Sequence, residues 1–272
     1  MRLAGIVFSS WVLACSFAHA ETPRIALFAS PADAVREILR TEPAARVLAF
    51  GEIHELTGGP KATPAIRHFS DEMLAALPTP AELVVETWIT QGSCGEVEHK
   101  VVAQVEQMTK RPESTETDIV RLLRLGKAAG LRPHILELSC ATYRSLQNTD
   151  GGLDAVKLLG AVTVALRDTI LGLLRGRDPV IVYGGALHND RQPRAELAAF
   201  SFGRTVERAA KQRYLEIDLY VPEYVESDPA ITGTRAWAKY AAAIQGHADQ
   251  TALVRLAAGS YIIVFPRAAA RP

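Results

Sequence analysis

Six short runs rich in valine, leucine, isoleucine and aromatic residues, at 47–50, 83–85, 134–138, 180–183, 214–219 and 261–265, punctuate a chain of 272 residues. Each run has the length of a buried strand. None alternates cleanly between apolar and polar residues, as expected of strands covered on both faces. The stretches between them carry helical period. Ser30 stands as an N-cap before Pro31 at the first helical position, with Ala34, Val35, Ile38 and Leu39 on one face. Further helices are predicted over 64–77, over 118–129 with Gly130 as the stop, over 153–174, over 205–212 and over 235–244. The 153–174 segment is strongly apolar, but Lys157, Arg167 and Asp168 interrupt it, which marks a core-packed helix and not a membrane one. Parallel strands need long crossovers, and helices supply both crossover and cover. The alternation therefore predicts an α/β class, a mainly parallel sheet with helices on both faces. No repeat and no Pro/Gly/Ser linker divides the chain, so residues 21–272 read as a single α/β domain. Its least regular stretch, 91–117, suits a surface excursion or a cap over a site.

The first twenty residues have a different character. A basic start at Arg2, an apolar run over 3–13 and Ala18-His19-Ala20 before Glu21 are the parts of a secretory signal peptide. The expected mature chain starts near Glu21 and is exported, with the periplasm as the implied compartment. In a competing reading Val12-Leu13-Ala14-Cys15 is a lipidation box and the protein a lipoprotein anchored through Cys15. No later segment has the roughly 18 consecutive apolar residues of a transmembrane helix. Lysine plus arginine and aspartate plus glutamate both count 30, so no net field gathers nucleic acid or anionic lipid. Removal of the signal leaves Cys94 and Cys140, an even count in an oxidising compartment, which points to a disulfide. Two unpaired cysteines are the alternative. The strand assignments favour pairing, because each cysteine closely follows a predicted strand.

In parallel α/β sheets ligands bind outside the carboxyl ends of the strands, so polar residues just after each apolar run are where chemistry is expected. The first run leads into Gly51-Glu52-Ile53-His54-Glu55, the second into Glu86, and the 180–183 run into Gly184-Gly185-Ala186-Leu187-His188. There two glycines permit backbone geometry closed to other residues and can present His188 to the same rim. A strand-end carboxylate often only caps a helix, and a lone loop histidine is usually solvated. Two acids and two histidines converging on one rim are harder to explain that way, because charged groups avoid interiors unless paired, ligated or catalytic. His54-Glu55 does not begin a zincin motif, since its fifth position is Gly58 and Pro60 follows. Of the remaining candidates, His134 falls at the far end of the sheet, Glu137 is a possible fifth pocket member, and Tyr183 reads as core. Arg67 and His68, on the helix after the first motif, face either the pocket mouth or solvent, while His99 and His247 have no informative context.

Two G-x-x-H motifs after strands, Gly51-Glu52-Ile53-His54 and Gly185-Ala186-Leu187-His188, with Glu86 ending an intervening strand, resemble the Tiki/TraB, erythromycin-esterase and ChaN-like superfamily. The resemblance runs from Val47 to the final strand and is nearest to the ChaN-like members. It implies a shared fold and one pocket lined by Glu52, His54, Glu86 and His188. It leaves the activity open, because the superfamily holds metal-dependent peptidases, macrolide esterases and haem-binding proteins. In a metal-dependent member His54, His188 and one or both of Glu52 and Glu86 would hold Mn, Co or Zn with a water in the open position, and a remaining glutamate would accept the water's proton. Without metal, a histidine or glutamate would act as general base on water, again hydrolysing an ester or amide of a small molecule or peptide. The other outcomes are a haem- or ligand-binding protein without turnover, and a structural relative with a vestigial site. ChaN-like members often place a second histidine soon after the first motif, and this chain offers only His68 there, a departure that weighs against haem.

Overall fold

The computed structural model describes residues 22–90, 94, 111–112, 114–148, 152–226 and 228–267. The expected signal segment with Cys15, most of the 91–117 excursion and His99 lie outside the described residues. In chain order the elements are β1 (Arg24–Phe28), α1 (Pro31–Thr41), β2 (Val47–Glu52), α2 (Ala65–His68), β3 (Ala81–Thr90), α3 (Ser114–Ala128), β4 (Leu131–Leu138), α4 (Cys140–Ser145), α5 (Ala155–Leu173), β5 (Val180–Gly185), α6 (Ala186–Asn189), α7 (Gly203–Ala209), β6 (Tyr214–Tyr220), α8 (Pro222–Val225), α9 (Pro229–Thr232), α10 (Arg235–Ala243), β7 (Thr251–Ala257) and β8 (Ser260–Val264).

The strands form one eight-stranded sheet in the order β1-β7-β8-β6-β2-β5-β3-β4. β7 runs antiparallel to both its neighbours, and every other pairing is parallel. The fold is thus mixed α/β and mostly parallel. The central strands β2, β5 and β6 are buried at every position, so their side chains divide strictly by strand alternation. Leu48 and Phe50 join Val35 and Ile38 of α1 and Leu122 of α3 in one core. Val47 and Ala49 join Leu158, Val162, Leu166 and Ile170 of α5 in the other. The spacing of those α5 residues puts them on one helical face, and each such buried side chain contributes about 1.5–3 kcal/mol. Asp154 caps α5 by accepting from the backbone N–H groups of Val156 and Lys157.

Several elements differ from the sequence expectation. β1 and β7 carry no prediction; they form the antiparallel edge, where β7 turns into β8 through Gly259 at φ 71°. The stretch 64–77 is not one helix. Beyond α2 it widens into a π turn and then tightens into a 3-10 turn, and the Ser70 hydroxyl there donates to the Ile66 carbonyl at 2.6 Å in competition with the regular ladder. α3 starts at Ser114, so residues 114–117 belong to a helix and not to the irregular excursion. Gly130, at φ 87°, ends that helix as expected. Cys94 and Cys140 form a disulfide with their Cα atoms 5.2 Å apart, 46 positions apart in the chain. Closing a loop of that length contributes about 4 kcal/mol on the chain-entropy account. Among the described residues no helix is long and apolar enough to cross a membrane.

One buried region is acidic. Glu216 and Asp218 on β6 and Asp190 after α6 are all buried. The Asn189 amide donates to Asp218 Oδ1 at 3.3 Å, and the Arg191 backbone N–H donates to Glu216 Oε2 at 3.2 Å. Burial pushes the Asp218 carboxyl up to about 7 despite the Asn189 hydrogen bond. Burial, then the charges of Asp218 and Asp190, push Glu216 well above its ordinary value. The folded protein keeps these protons where the unfolded chain has released them. Their stabilising contribution is therefore complete below the ordinary carboxylate range, about 4, and is lost as pH rises through the folded values. Asp218→Asn, which keeps the acceptor and removes the charge, is expected to raise the unfolding free energy more at pH 8 than at pH 5 in urea melts. An equal effect at both pH values would contradict this account.

Candidate active site

β2 and β5 lie side by side with Gly51 opposite Gly184 and Glu52 opposite Gly185. β3 flanks β5 with Val85 opposite Tyr183, which puts Glu86 beside Gly184. The chain leaving β2 packs α2 into the core that holds Phe50, whereas the chain leaving β5 packs Phe202 and Val206 into the opposite core. Neighbouring strands whose connections depart to opposite faces open a crevice at their carboxyl ends. Glu52, His54, Glu86 and His188 are gathered at that crevice.

Strand alternation assigns each its place. Glu52 shares a sheet face with Tyr183, whose hydroxyl donates to Glu52 Oε2 at 2.5 Å. Its other oxygen, Oε1, lies 2.7 Å from His54 Nδ1. On the opposite face Glu86 Oε2 accepts the Gly185 N–H at 2.6 Å, and Glu86 Oε1 stands 3.6 Å from His188 Nε2. His188 Nδ1 lies 2.9 Å from the Phe200 carbonyl and 3.0 Å from the Thr163 hydroxyl. His54 bridges the two halves over the sheet edge: a Cβ at Gly185 would stand 2.8 Å from His54 Nε2 and 3.5 Å from Glu86 Oε2.

The glycines serve a purpose other than the one expected. Gly184 and Gly185 lie in an ordinary strand, Gly185 ending it at φ −72°, so neither needs a special backbone. What they supply is room. A Cβ at Gly184 would approach Glu86 Oε2 to 2.5 Å and Glu86 Cβ to 2.8 Å.

The electrostatics keep both acids charged. Burial works to raise the Glu52 carboxyl, but the hydrogen bond and charge of His54, the Arg111 guanidinium and the Tyr183 hydroxyl outweigh it and hold Glu52 below its ordinary value. Burial likewise opposes ionisation of Glu86, which the charges of His188, His54 and Arg111 and the Gly185 N–H hold low. Burial, with the Glu52 charge, raises the Tyr183 hydroxyl well above its usual range, so it remains a donor. An ionised Glu52 can only accept, so His54 Nδ1 carries a proton, and in the neutral ring it is Nε2 that presents the lone pair. A carbonyl also only accepts, so His188 Nδ1 donates to Phe200. The Arg111 guanidinium, from the stretch before α3, lies against His54 Nε2.

A divalent ion held by the four residues would need His54 Nε2, His188 Nε2 and a carboxylate oxygen free to converge. Both Glu52 oxygens are engaged, and the cation of Arg111 stands at His54 Nε2. Among the described residues no group of three or more His, Cys, Asp or Glu side chains is arranged to hold a metal ion. Two of the four donors, Glu52 and His54, are thus engaged in this arrangement, while Glu86 Oε1 and His188 Nε2 face each other at 3.6 Å. His68, the histidine a haem role would call on, instead meets Glu72 at 2.6 Å and stacks on Phe265 with ring centroids 4.2 Å apart.

The lower-ranked residues fall elsewhere. His134 pairs with Glu82 at 2.7 Å near the start of β3, away from the crevice. Glu137 is exposed on the edge strand β4, and His247 is exposed in a turn. Arg67 pairs with the buried Asp118 at 2.9 Å. Tyr183, read as core from the sequence, belongs to the site through its hydroxyl. Strand register carried the signal, since Tyr183 and Glu52 stand two residues out of step on adjacent strands and therefore share a face. Arg111 and Thr163 had no such local cue.

Comparison of the chain with family models, curated proteins and solved structures finds no match in any of the three. The likeness to a family therefore rests on the two G-x-x-H motifs and Glu86. The crowding at Gly184 generates a direct test. Gly184→Ala is expected to cost about 1–3 kcal/mol in denaturant melts, as overpacking does. Gly160→Ala on α5, where a Cβ meets nothing within 4 Å, is expected to stabilise by about 0.5–1 kcal/mol. Equal effects of the two substitutions would show that Glu86 does not occupy the space beside Gly184.

Proposed function

We propose that the chain is an exported hydrolase of the Tiki/TraB, erythromycin-esterase and ChaN-like kind, in which His54 acts as general base on water against an ester or amide. The supporting observation is the Glu52–His54 pair: a buried, ionised carboxylate 2.7 Å from Nδ1, with the other imidazole nitrogen turned away from it. A carboxylate in that position orients the ring, fixes its tautomer and stabilises the imidazolium formed when Nε2 takes a proton. Tyr183 holds the far oxygen of Glu52, so the carboxylate cannot rotate away from the ring. On the opposite face His188 and Glu86 form a looser pair, 3.6 Å apart, which lines the other side of the crevice. The disulfide and the amino-terminal sequence pattern support export.

The metal-free route is favoured because both oxygens of Glu52 and both nitrogens of His54 already have partners. Purified mature protein should be screened against p-nitrophenyl esters and chromogenic amides, with EDTA present and absent. The expected outcome is turnover that survives EDTA and falls about 10²–10⁴-fold in His54→Ala, with a comparable loss in Glu52→Gln. Turnover abolished by EDTA and restored by Mn, Co or Zn would contradict the metal-free route. A Soret band on haem addition that His54→Ala and His188→Ala remove, without turnover, would replace hydrolysis by haem binding.

A further inference from the structure

We infer that Arg111 receives the substrate's carbonyl oxygen, so that the site takes a carboxylic ester or amide whose acyl oxygen becomes an oxyanion against the guanidinium; this deepens, and rests on, the hydrolytic reading above. Arg111 lies between the disulfide-bonded Cys94 and α3 and sets Nη2 on His54 Nε2. Among the described residues no carboxylate closes an ion pair with it, whereas Arg67, Arg121, Arg132, Arg191 and Arg267 each pair with an acid. A guanidinium carries five N–H donors and stays charged at any working pH. One imidazole lone pair uses one of them. Among the described residues no other acceptor is recorded for this cation, which stands at the point where the base must act.

The placement couples two events. With the guanidinium on Nε2 the base is capped, and the group best able to draw a guanidinium aside is an oxygen with negative character. Glu52 and Glu86 fill the surroundings with negative charge, so an incoming oxyanion needs a cation of its own. A carbonyl oxygen received by Arg111 uncovers Nε2 and brings the acyl carbon beside it. The water oxygen then bonds to the acyl carbon, its proton passes to Nε2, and the carbonyl π pair moves onto the oxygen facing Arg111. As the double bond re-forms, the C–O or C–N bond breaks and the leaving atom takes the proton back from His54. The products are a carboxylic acid and an alcohol or amine.

Methylphosphonate, a tetrahedral anion shaped like that intermediate, is the probe. Calorimetric titration at pH 7.5 should show saturable binding to the wild-type mature chain, weakened at least about tenfold in Arg111→Ala, as loss of a charge-assisted pair implies. Arg111→Lys, which keeps the charge but not the fork, should fall between. In parallel, kcat/KM on p-nitrophenyl acetate should fall in the same order with circular dichroism unchanged. Equal phosphonate binding by wild type and Arg111→Ala, or none by wild type, overturns the inference. Wild-type hydrolysis that Arg111→Ala leaves unchanged also overturns it while the hydrolytic reading stands. Phosphonate binding that depends on Arg111, in a protein that hydrolyses no ester or amide, overturns the hydrolytic reading and this substrate class with it.

Discussion

A carboxylate at the end of a fully buried strand must find partners or lose its charge, and Glu52 is such a group. Its side chain is 9% exposed, yet it stays ionised because both oxygens are bonded, one to His54 and one to Tyr183. That requirement fixes the tautomer of His54 and directs its free nitrogen away from the carboxylate. It also ties the rim of β2 to the interior of β5 through Tyr183. Removing either partner would strand a buried charge, which costs more than the bond itself is worth.

The topology makes the requirement useful. Because the connections after β2 and β5 leave toward opposite faces, the backbone parts there, and side chains from both faces meet over two glycines. Glu52 and Tyr183 come from one face and Glu86 and His188 from the other, with His54 reaching across. Strands with larger residues at 184 and 185 would close this space against Glu86 and His54. The second set of buried acids, Glu216, Asp218 and Asp190, shows the opposite solution: with few donors facing them, they are held toward the neutral form.

Much of this was legible before any coordinates. The six apolar runs all became strands, because a parallel sheet buried on both faces must be written in continuous apolar sequence. Ser30 and Pro31 marked the start of α1, and Gly130 the end of α3, because caps are local chemistry. β1 and β7 escaped because edge and antiparallel strands carry shorter or more mixed patterns, as the half-exposed Arg24–Phe28 illustrates. At the site, strand-end position was enough to single out Glu52, His54, Glu86 and His188. It was not enough for Arg111, which comes from a stretch without periodic pattern. Nor did it reveal Tyr183, whose apolar neighbours mask a hydroxyl that matters only once strand register is known. The purpose of Gly184 and Gly185 was misread for a related reason: a sequence shows that glycine is needed, not whether the need is for backbone freedom or for space.

The most direct measurement is the long-range ¹H–¹⁵N spectrum of the histidine side chains in the mature protein, with His54 assigned by substitution. With Glu52 accepting from Nδ1, the neutral His54 ring should be the Nδ1–H tautomer with a bare Nε2, and Glu52→Gln should weaken that preference. A His54 ring in the Nε2–H form that free histidine prefers, unmoved by Glu52→Gln, would mean that the carboxylate and the imidazole are not a pair.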